Sequence, residues 1–420
     1  MKKGFKFLAV LGFVTTLASC GTSTNTATST SATGTSTTGT STATNTNIKV
    51  GLITLHDENS TYDKNFIDAF NAAATKMGAT PVIKTGTPEG SEAKETAEEL
   101  VDEGCKFIFA DSFGHESYIL EAAKDFPKVQ FSHATGTKAH TAGVSNFHNA
   151  FASIYEGRYL AGVAAGLKLQ AMIDANANTA HKVGYVGAWP YAEVVSGYTA
   201  WYLGVKSVVD DVVMDVKFTS SWYDESKERE TAQSLIKGGC VIISQHADSY
   251  GAPKMCEEKS VPNVTYNGST ETVCPNTYLI SSKVNWEPYF EYAIGQVQQG
   301  KAIDTDWTGV LGTTLYDGSV AMSAPGKKAA VTGTEDKLNE VFNKLKDGTL
   351  KVFDTSKFTV NGEKVTSYLA DVDDAGDYVG ETEVIVKDEK TGITYFAEST
   401  YRSAPYFDLK IDGITQLNNK

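Results

Sequence analysis

The stretch from His181 to Val205, HKVGYVGAWPYAEVVSGYTAWYLGV, constrains the fold more than any other part of the chain. Its short apolar run, Val183 to Gly187, predicts a buried strand. Ala188-Trp-Pro190 turns the chain. Val194, Val195, Tyr198, Trp201, Tyr202 and Val205 then recur at helical spacing, with Trp201 on the core stripe. The same plan occurs earlier. Val50–Thr54 predicts a strand, His56 to Lys64 a polar loop, and Phe66, Phe70, Ala73 and Met77 a helix stripe. A chain that starts a strand–loop–helix unit twice builds two related halves, and a cleft forms where their loop ends face each other.

The order between these points supports that plan. A weak strand at Pro81–Lys84, a helix at Ala93–Glu103, a strand at Phe107–Ala110, a helix at Tyr118–Asp125 and a strand at Val129–Phe131 follow one another. Tyr155 to Leu169 predicts a helix rich in Gly and Ala, which should pack closely on a neighbour. After His181 the alternation resumes with a strand at Val212–Phe218, a helix at Lys227–Lys237, a strand at Val241–Ser244 and a helix around Pro253–Lys259. Alternation of this kind predicts parallel sheets covered by helices on both faces. Glu103-Gly-Cys105 before one strand is echoed by Gly238-Gly-Cys240 before another. Asp111-Ser-Phe-Gly114 is echoed by Asp248-Ser-Tyr-Gly251. A helix at Tyr289–Gln299, short strands at Val310-Leu311 and Ser319–Met322, and a helix at Leu338–Lys346 follow. Thr355 to Lys420 is charged, turn-rich and β-prone.

The N-terminus is of another kind. Lys2, Lys3 and Lys6 precede an apolar run from Phe7 to Val14, and Leu17-Ala-Ser-Cys20-Gly21 follows. This predicts an export signal over 1–19, too short for a membrane-spanning helix. The tetrad resembles a bacterial lipobox, which implies lipidation of Cys20; a plain signal peptide with an incidental Cys is the alternative reading. Residues 20–47 carry that Cys and a tract of Ser, Thr, Ala, Asn and Gly with almost no apolar residue. Such a tract cannot bury a core and predicts a disordered tether with an r.m.s. span of roughly 30 Å.

A net charge of -14 argues against binding a nucleic-acid backbone. Hydrophobic residues make up 41% of the chain, too few for a multi-span membrane protein. Cys105 and Cys240 read as small buried hydrophobes. Cys256 and Cys274 lie in one segment outside the membrane, where a disulfide and two free thiols are both open readings. No Cys/His spacing suits zinc, and no GxSxG, HExxH or SxxK motif is present. The expectation is therefore a binding protein without metal or cofactor, and not an enzyme.

In open α/β sheets ligands bind beyond the carboxyl ends of the strands. That rule selects Asp57, Asn59, Tyr62 and Asp63 in the first loop, Asp111, Ser112 and Phe113 in the second, and His133 after the strand at Phe131. From the second half it selects Trp189, Trp222, His246 and Asp248, followed by Asn267 and Trp286. Aromatic faces suit a planar ring, and carboxylates with Asn suit its N–H groups and sugar hydroxyls. Phosphate is disfavoured, because there is neither a glycine-rich phosphate loop nor a cationic cluster. Any one Trp can serve packing instead; Trp222, in Ser-Ser-Trp-Tyr-Asp between a strand and a helix, is assigned to the ligand. His246 also fits a supporting role, and Asp63 a helix cap.

Several of these residues sit in recognisable motifs. Asp63-Lys-Asn-Phe66, Phe131-Ser-His-Ala-Thr-Gly136, Tyr155-Glu-Gly-Arg-Tyr-Leu-Ala-Gly162, Pro190-Tyr-Ala-Glu-Val-Val195, Ser221-Trp-Tyr-Asp-Glu225 and Gln245-His-Ala-Asp-Ser249 occur in this order. Together they resemble the basic-membrane-protein family of ABC-transporter substrate-binding lipoproteins, in particular its purine and purine-nucleoside receptors, over residues 50 to about 414. Ile67 stands where that family has Asn, and the loop from His56 to Thr61 lacks its glycine pair.

The resemblance implies an α/β periplasmic-binding-protein type I fold: two doubly wound parallel-sheet lobes, a hinge, and a ligand cleft between them. Lobe 1 would span 48–180, completed by about 284–312. Lobe 2 would span 181–283, completed by about 313–354, with 355–420 as a β-rich extension packed on the lobes. It adds Phe66 to the ligand contacts. It implies capture of a neutral purine base or nucleoside for ABC permease subunits, by a protein held on the outer face of a bacterial membrane through Cys20. A surface lipoprotein acting as sensor or adhesin, or a receptor for a sugar-like ligand, are the other readings.

Overall fold

Apolar runs of four to six residues, bounded by glycines and polar turns, become parallel strands covered on both faces. The computed structural model describes residues 47–372 and 379–418. Cys20, the signal-like segment and the tether up to Thr46 lie outside the described residues. The first half alternates β1 (Lys49–Ile53), α1 (Thr61–Met77), β2 (Thr80–Lys84), α2 (Ser91–Asp102), β3 (Cys105–Ala110), α3 (Glu116–Asp125), β4 (Gln130–Ala134) and β5 (Phe147–Ala152). Helix α4 (Ile154–Ala175) leads into the second half. There β6 (Lys182–Gly187), α5 (Ala192–Lys206), β7 (Val213–Phe218), α6 (Glu225–Lys237), β8 (Ile243–Gln245), α7 (Gly251–Lys259), β9 (Asn263–Tyr266) and β10 (Tyr278–Val284) follow. Next come α8 (Glu287–Gln298), β11 (Asp306–Gly309), β12 (Val320–Met322) and α9 (Thr334–Lys346).

Among the described residues these strands form two large sheets. The first has the order β11-β5-β4-β3-β1-β2, and its neighbouring strands are parallel. In the second, β12-β10-β9-β8-β6-β7 are parallel except for the β12–β10 pair. The architecture is therefore the two-lobed α/β arrangement expected. The chain crosses between the sheets at Ser153, at Asn285 and over 310–319. These crossings hydrogen-bond to one another: Ser153 N donates to Gly309 O at 2.9 Å, Asn285 N to Ser319 O at 2.7 Å, and Ser319 N to Val310 O at 3.0 Å.

The C-terminal part is built of small pieces. β13 (Leu369–Ala370) pairs with β14 (Thr382–Glu383), and β15 (Ile385–Lys387) with β16 (Thr394–Phe396). β17 (Ile414–Gln416) joins the second sheet, parallel to β7. Phe353 stacks on Phe407, and Phe396 packs tilted against Phe407, within the core of the second lobe.

Strands β5, β9 and β10 lie where the sequence reading placed none, and β11 ends just before the expected Val310-Leu311. Cys256 and Cys274 are free, as are Cys105 and Cys240, and all four are buried. Burial pushes the Cys105 thiol up to about 11 and Cys240 up to about 12. The Cys274 thiol donates to Thr270 O at 3.1 Å.

Helix α4 is small-residue-rich because it packs backbone to backbone on α5. A Cβ on Gly162 would collide with the Trp201 carbonyl, and one on Gly204 with the Tyr159 carbonyl. Neither carbonyl can move without unwinding its helix. Gly204→Ala should therefore cost about 1–3 kcal/mol in urea unfolding. A variant as stable as the native chain would show that the helices can separate freely.

Candidate functional site

Loops at the carboxyl ends of both sheets enclose a cavity of about 510 Å³. This lies within the usual range for a small-molecule site. The lobes touch directly at its edge, where Thr61 donates to the Asp248 carbonyl through its N–H at 3.0 Å and its hydroxyl at 3.1 Å. Two ring pairs also span the lobes: His56 with Tyr223, centroids 5.3 Å apart, and Phe113 stacked on Tyr191 at 5.4 Å.

The first lobe's wall is organised by Asp63. Its carboxylate accepts from the His56 N–H at 2.7 Å and from the Ser60 hydroxyl, while its own N–H donates back to Ser60 at 3.2 Å. The N-cap of α1 is Ser60 rather than the expected Asp63, which is the third residue of the helix, supports that cap and lines the cavity. Burial alone would raise its carboxyl, but the hydrogen bonds from His56 and Ser60 outweigh it and hold Asp63 below the ordinary range. Tyr62 anchors its hydroxyl on the Asp111 carbonyl at 2.8 Å and turns its ring to the cavity. Glu116 lines the wall, but it accepts from Thr137 N at 2.7 Å, Lys138 N at 2.9 Å and Asn149 Nδ2 at 3.0 Å. Its charge mainly fixes the loop after β4.

The second lobe's floor is built on Arg158, only 1% exposed. Its guanidinium lies flat on the Tyr266 ring, 3.4 Å from the centroid. Nη1 donates to Gln245 O at 3.1 Å and Nη2 to His246 Nδ1 at 2.9 Å. An arginine only donates, so Nδ1 is the acceptor and the imidazole proton sits on Nε2, aimed at Glu193 Oε1 2.8 Å away. Burial, with help from Arg158, pulls His246 down and keeps it neutral. Glu193, raised by burial, is carried below the usual range by His246 and Arg158. Gly197 makes room for this array, since a Cβ there would lie 2.9 Å from the His246 ring.

Asp248 differs from both of these carboxylates. Its backbone is tied on both sides, yet its side chain accepts no hydrogen bond from the described residues. It faces the cavity at 7% exposure. Burial, then the nearby Asp63, push its carboxyl well above the ordinary range. The Trp222 carbonyl accepts from Asp248 N at 3.0 Å, and the Trp222 ring lines the cavity. Tyr191 bridges Trp189, at 6.1 Å with nearly parallel rings, and Trp222, also at 6.1 Å.

The cavity thus gathers Tyr62, Asp63, Ser112, Phe113, Trp222, His246 and Asp248 from the sequence-selected set. The others stand elsewhere. Asp57 and Asn59 form an exposed turn, the carboxylate accepting both Asn59 N–H groups. Asp111 is wholly buried behind the wall and accepts from Leu55 N at 3.2 Å. His133 holds the Ser112 carbonyl at 2.6 Å from inside. Trp189 reaches the site through Tyr191 only. Phe66 and Trp286 do not face the cleft; they stack at 4.5 Å in the core of the first lobe, because α8 folds back on α1 there. Asn267 lines a separate hollow beside Thr61 and Tyr250. Glu193, Tyr191, Tyr266, Glu116 and Arg402 are cavity residues that were not selected. Glu193 and Tyr191 lie within the motif 190–195, which was the signal available for them. Among the described residues, no group of three or more His, Cys, Asp or Glu is placed to hold a metal ion, and no helix is long and apolar enough to cross a membrane.

Comparison with known proteins follows the same lines. The family model for the ABC transporter substrate-binding protein PnrA-like family matches residues 51–354. A purine-binding protein of Brucella abortus is 34% identical over 220 residues, 52% of this chain and 57% of that protein. A putative ABC transporter glucose-binding protein of Haloferax volcanii is 30% identical over 250 residues, 59% of this chain and 61% of that protein. The chain therefore spans little more than half the length of these relatives. An ABC transporter solute-binding protein from Conexibacter woesei superposes with a TM-score of 0.59 at 18% identity, covering 72% of this chain and 98% of that one, which speaks for the fold alone.

Removing Glu193's charge leaves Arg158 buried and uncompensated. Glu193→Gln should lower stability by about 3 kcal/mol at neutral pH. Replacing Arg158 by Met in the same chain should recover part of that loss. A double variant whose loss is the simple sum of the single ones would refute the coupling.

Proposed function

The chain belongs to the PnrA-like family of ABC transporter substrate-binding proteins, and from that premise we propose that it captures a neutral purine base or nucleoside between its lobes and delivers it to a membrane permease. The observation that carries this reading is the enclosed cavity with aromatic rings from both lobes and the unpartnered Asp248 carboxylate between them. Planar rings gain roughly 1–3 kcal/mol each from stacking on such faces. Carboxylates accept from ring and exocyclic N–H groups. A doubly charged phosphate beside the ionised Asp63 and Glu193 would meet like charge in a desolvated site. The purine-binding name of the Brucella relative supports the ligand class.

The hinge is part of the proposal: the lobes close on a ligand that touches both. So is the anchor. Cys20 of the lipobox-like tetrad would be the lipidated first residue of the mature protein, on the outer face of the membrane. A sugar ligand is the second reading, favoured by the glucose-binding name of the Haloferax relative.

Calorimetry against adenine, adenosine, guanosine, AMP, glucose and an amino acid tests the ligand class. Purines should bind, and Trp222→Ala should weaken them by roughly tenfold to a hundredfold. Glucose binding with silence from every purine would sink the purine reading and leave the transport reading standing.

The pH dependence has a definite sign. Asp248 is held protonated above the ordinary carboxylate range in the free protein. A ligand N–H favours the ionised form, so binding releases a proton. Affinity should rise with pH up to the raised value and then level off, and Asp248→Asn should flatten the profile. A native profile that is already flat would remove Asp248 from the ligand contacts.

Fractionation tests the anchor: Cys20→Ser should move the protein from membranes to the soluble fraction. Undiminished membrane retention would defeat it.

A further inference from the structure

The family match ends at residue 354, but the cavity wall does not. Arg402, Ala404 and Pro405 line it too. They belong to a segment seated on both lobes. On the second lobe, β17 pairs with β7, Gln416 Nε2 donates to the Tyr198 hydroxyl at 2.7 Å, and the Asn418 side chain accepts from Phe218 N at 2.9 Å and donates to Phe218 O at 2.8 Å. On the first lobe, Ser403 N donates to Asp306 Oδ2 at 2.8 Å, in edge strand β11. His140 Nε2 lies 3.1 Å from the same oxygen. The segment therefore bridges the lobes beside the cavity.

Arg402 is held in place by its own turn. Nε donates to Ala404 O at 3.2 Å and Nη2 to Pro405 O at 3.3 Å. Tyr406 supports the guanidinium, 5.7 Å from its ring centroid. It forms no ion pair with a carboxylate among the described residues. A guanidinium has five N–H donors and no acceptor, so those not used by the turn are available to an acceptor in the cavity. The cavity wall also carries Thr135, Thr137 and Lys138, two to five residues before His140, and the loop they form engages the Glu116 carboxylate through the Thr137 and Lys138 N–H groups.

We propose that the C-terminal segment is a third wall of the ligand site and that Arg402 donates to hydroxyl oxygens of the ligand, setting a preference for a nucleoside over its free base. The assignment of those hydroxyls to ribose rests on the purine reading above; the contact by Arg402 does not. Aromatic faces and carboxylates of the lobes hold the base. Arg402 holds the end of the ligand that reaches the segment. Charge alone would also admit a phosphate there, and the test separates the two.

The experiment is calorimetry on the full chain with guanine, guanosine, GMP, D-ribose and D-glucose, for native protein, Arg402→Ala and Arg402→Lys, with unfolding midpoints recorded alongside. Arg402→Ala should weaken guanosine by about tenfold or more and leave guanine within about twofold, since a lost charged donor costs that much in a desolvated site. Arg402→Lys, which keeps charge but loses the planar fork, should fall between. Equal losses for guanine and guanosine would mean that Arg402 acts through the wall's structure and would overturn the proposal. No loss for either would overturn it as well, and GMP binding more tightly than guanosine would replace the hydroxyls by phosphate. If the native chain takes glucose or ribose and no purine, the purine reading fails by itself. Arg402→Ala must then weaken that sugar by about tenfold, or the proposal falls with it.

Discussion

A buried guanidinium has to be satisfied, and the way Arg158 is satisfied shapes the second lobe's side of the cleft. The residue enters from α4, just after the first crossing between the sheets. Leaving such a charge unpaired would cost several kcal/mol. Its partners are therefore drawn to one place: the Gln245 carbonyl at the end of β8, His246 after it, the Tyr266 ring at the end of β9, and through His246 the carboxylate of Glu193 at the start of α5. Two strand ends and one helix start are aligned by one cation. The small residues that let α4 lie against α5 are what bring Arg158 there, and Gly197 leaves the space for His246. Close helix packing and the cavity floor are one design.

The first lobe reaches the same end by local means. Ser60 caps α1 with support from Asp63, and the cap holds the loop from His56 in place. Asp63 is then fixed and ionised, whereas Asp248 opposite keeps a free carboxylate with a raised pKa. Two aspartates in one cavity thus have different work. One is part of the scaffold, and the other is the acceptor that the proposed ligand would use.

The strand–loop–helix plan was legible because most strands are continuous apolar runs. The strands that escaped notice are the ones with polar residues inside. β5 carries His148 and Asn149, made acceptable by Gln130 and by Glu116 with Ala139. β9 begins with Asn263, bonded to Thr277, and β10 holds Ser281 and Ser282. Hydropathy cannot see partners supplied by distant residues. The same limit applies to the site. Loop position found Tyr62, Asp63, Phe113, Trp222, His246 and Asp248. It could not tell that Trp286 turns inward to Phe66, since that depends on α8 crossing back to the first lobe. Nor could it find Arg402, which reaches the cleft only because β17 returns the C-terminus to the second sheet.

The central claim is that this closed, aromatic, acid-lined cavity selects a purine. Native mass spectrometry of the full folded region in an equimolar mixture of guanosine, adenosine, ribose, glucose and glutamine tests it in one spectrum, because the ligands compete for one site. The account predicts a one-to-one adduct whose dissociation releases a purine nucleoside. An adduct that releases glucose or glutamine, with neither nucleoside retained, would contradict it.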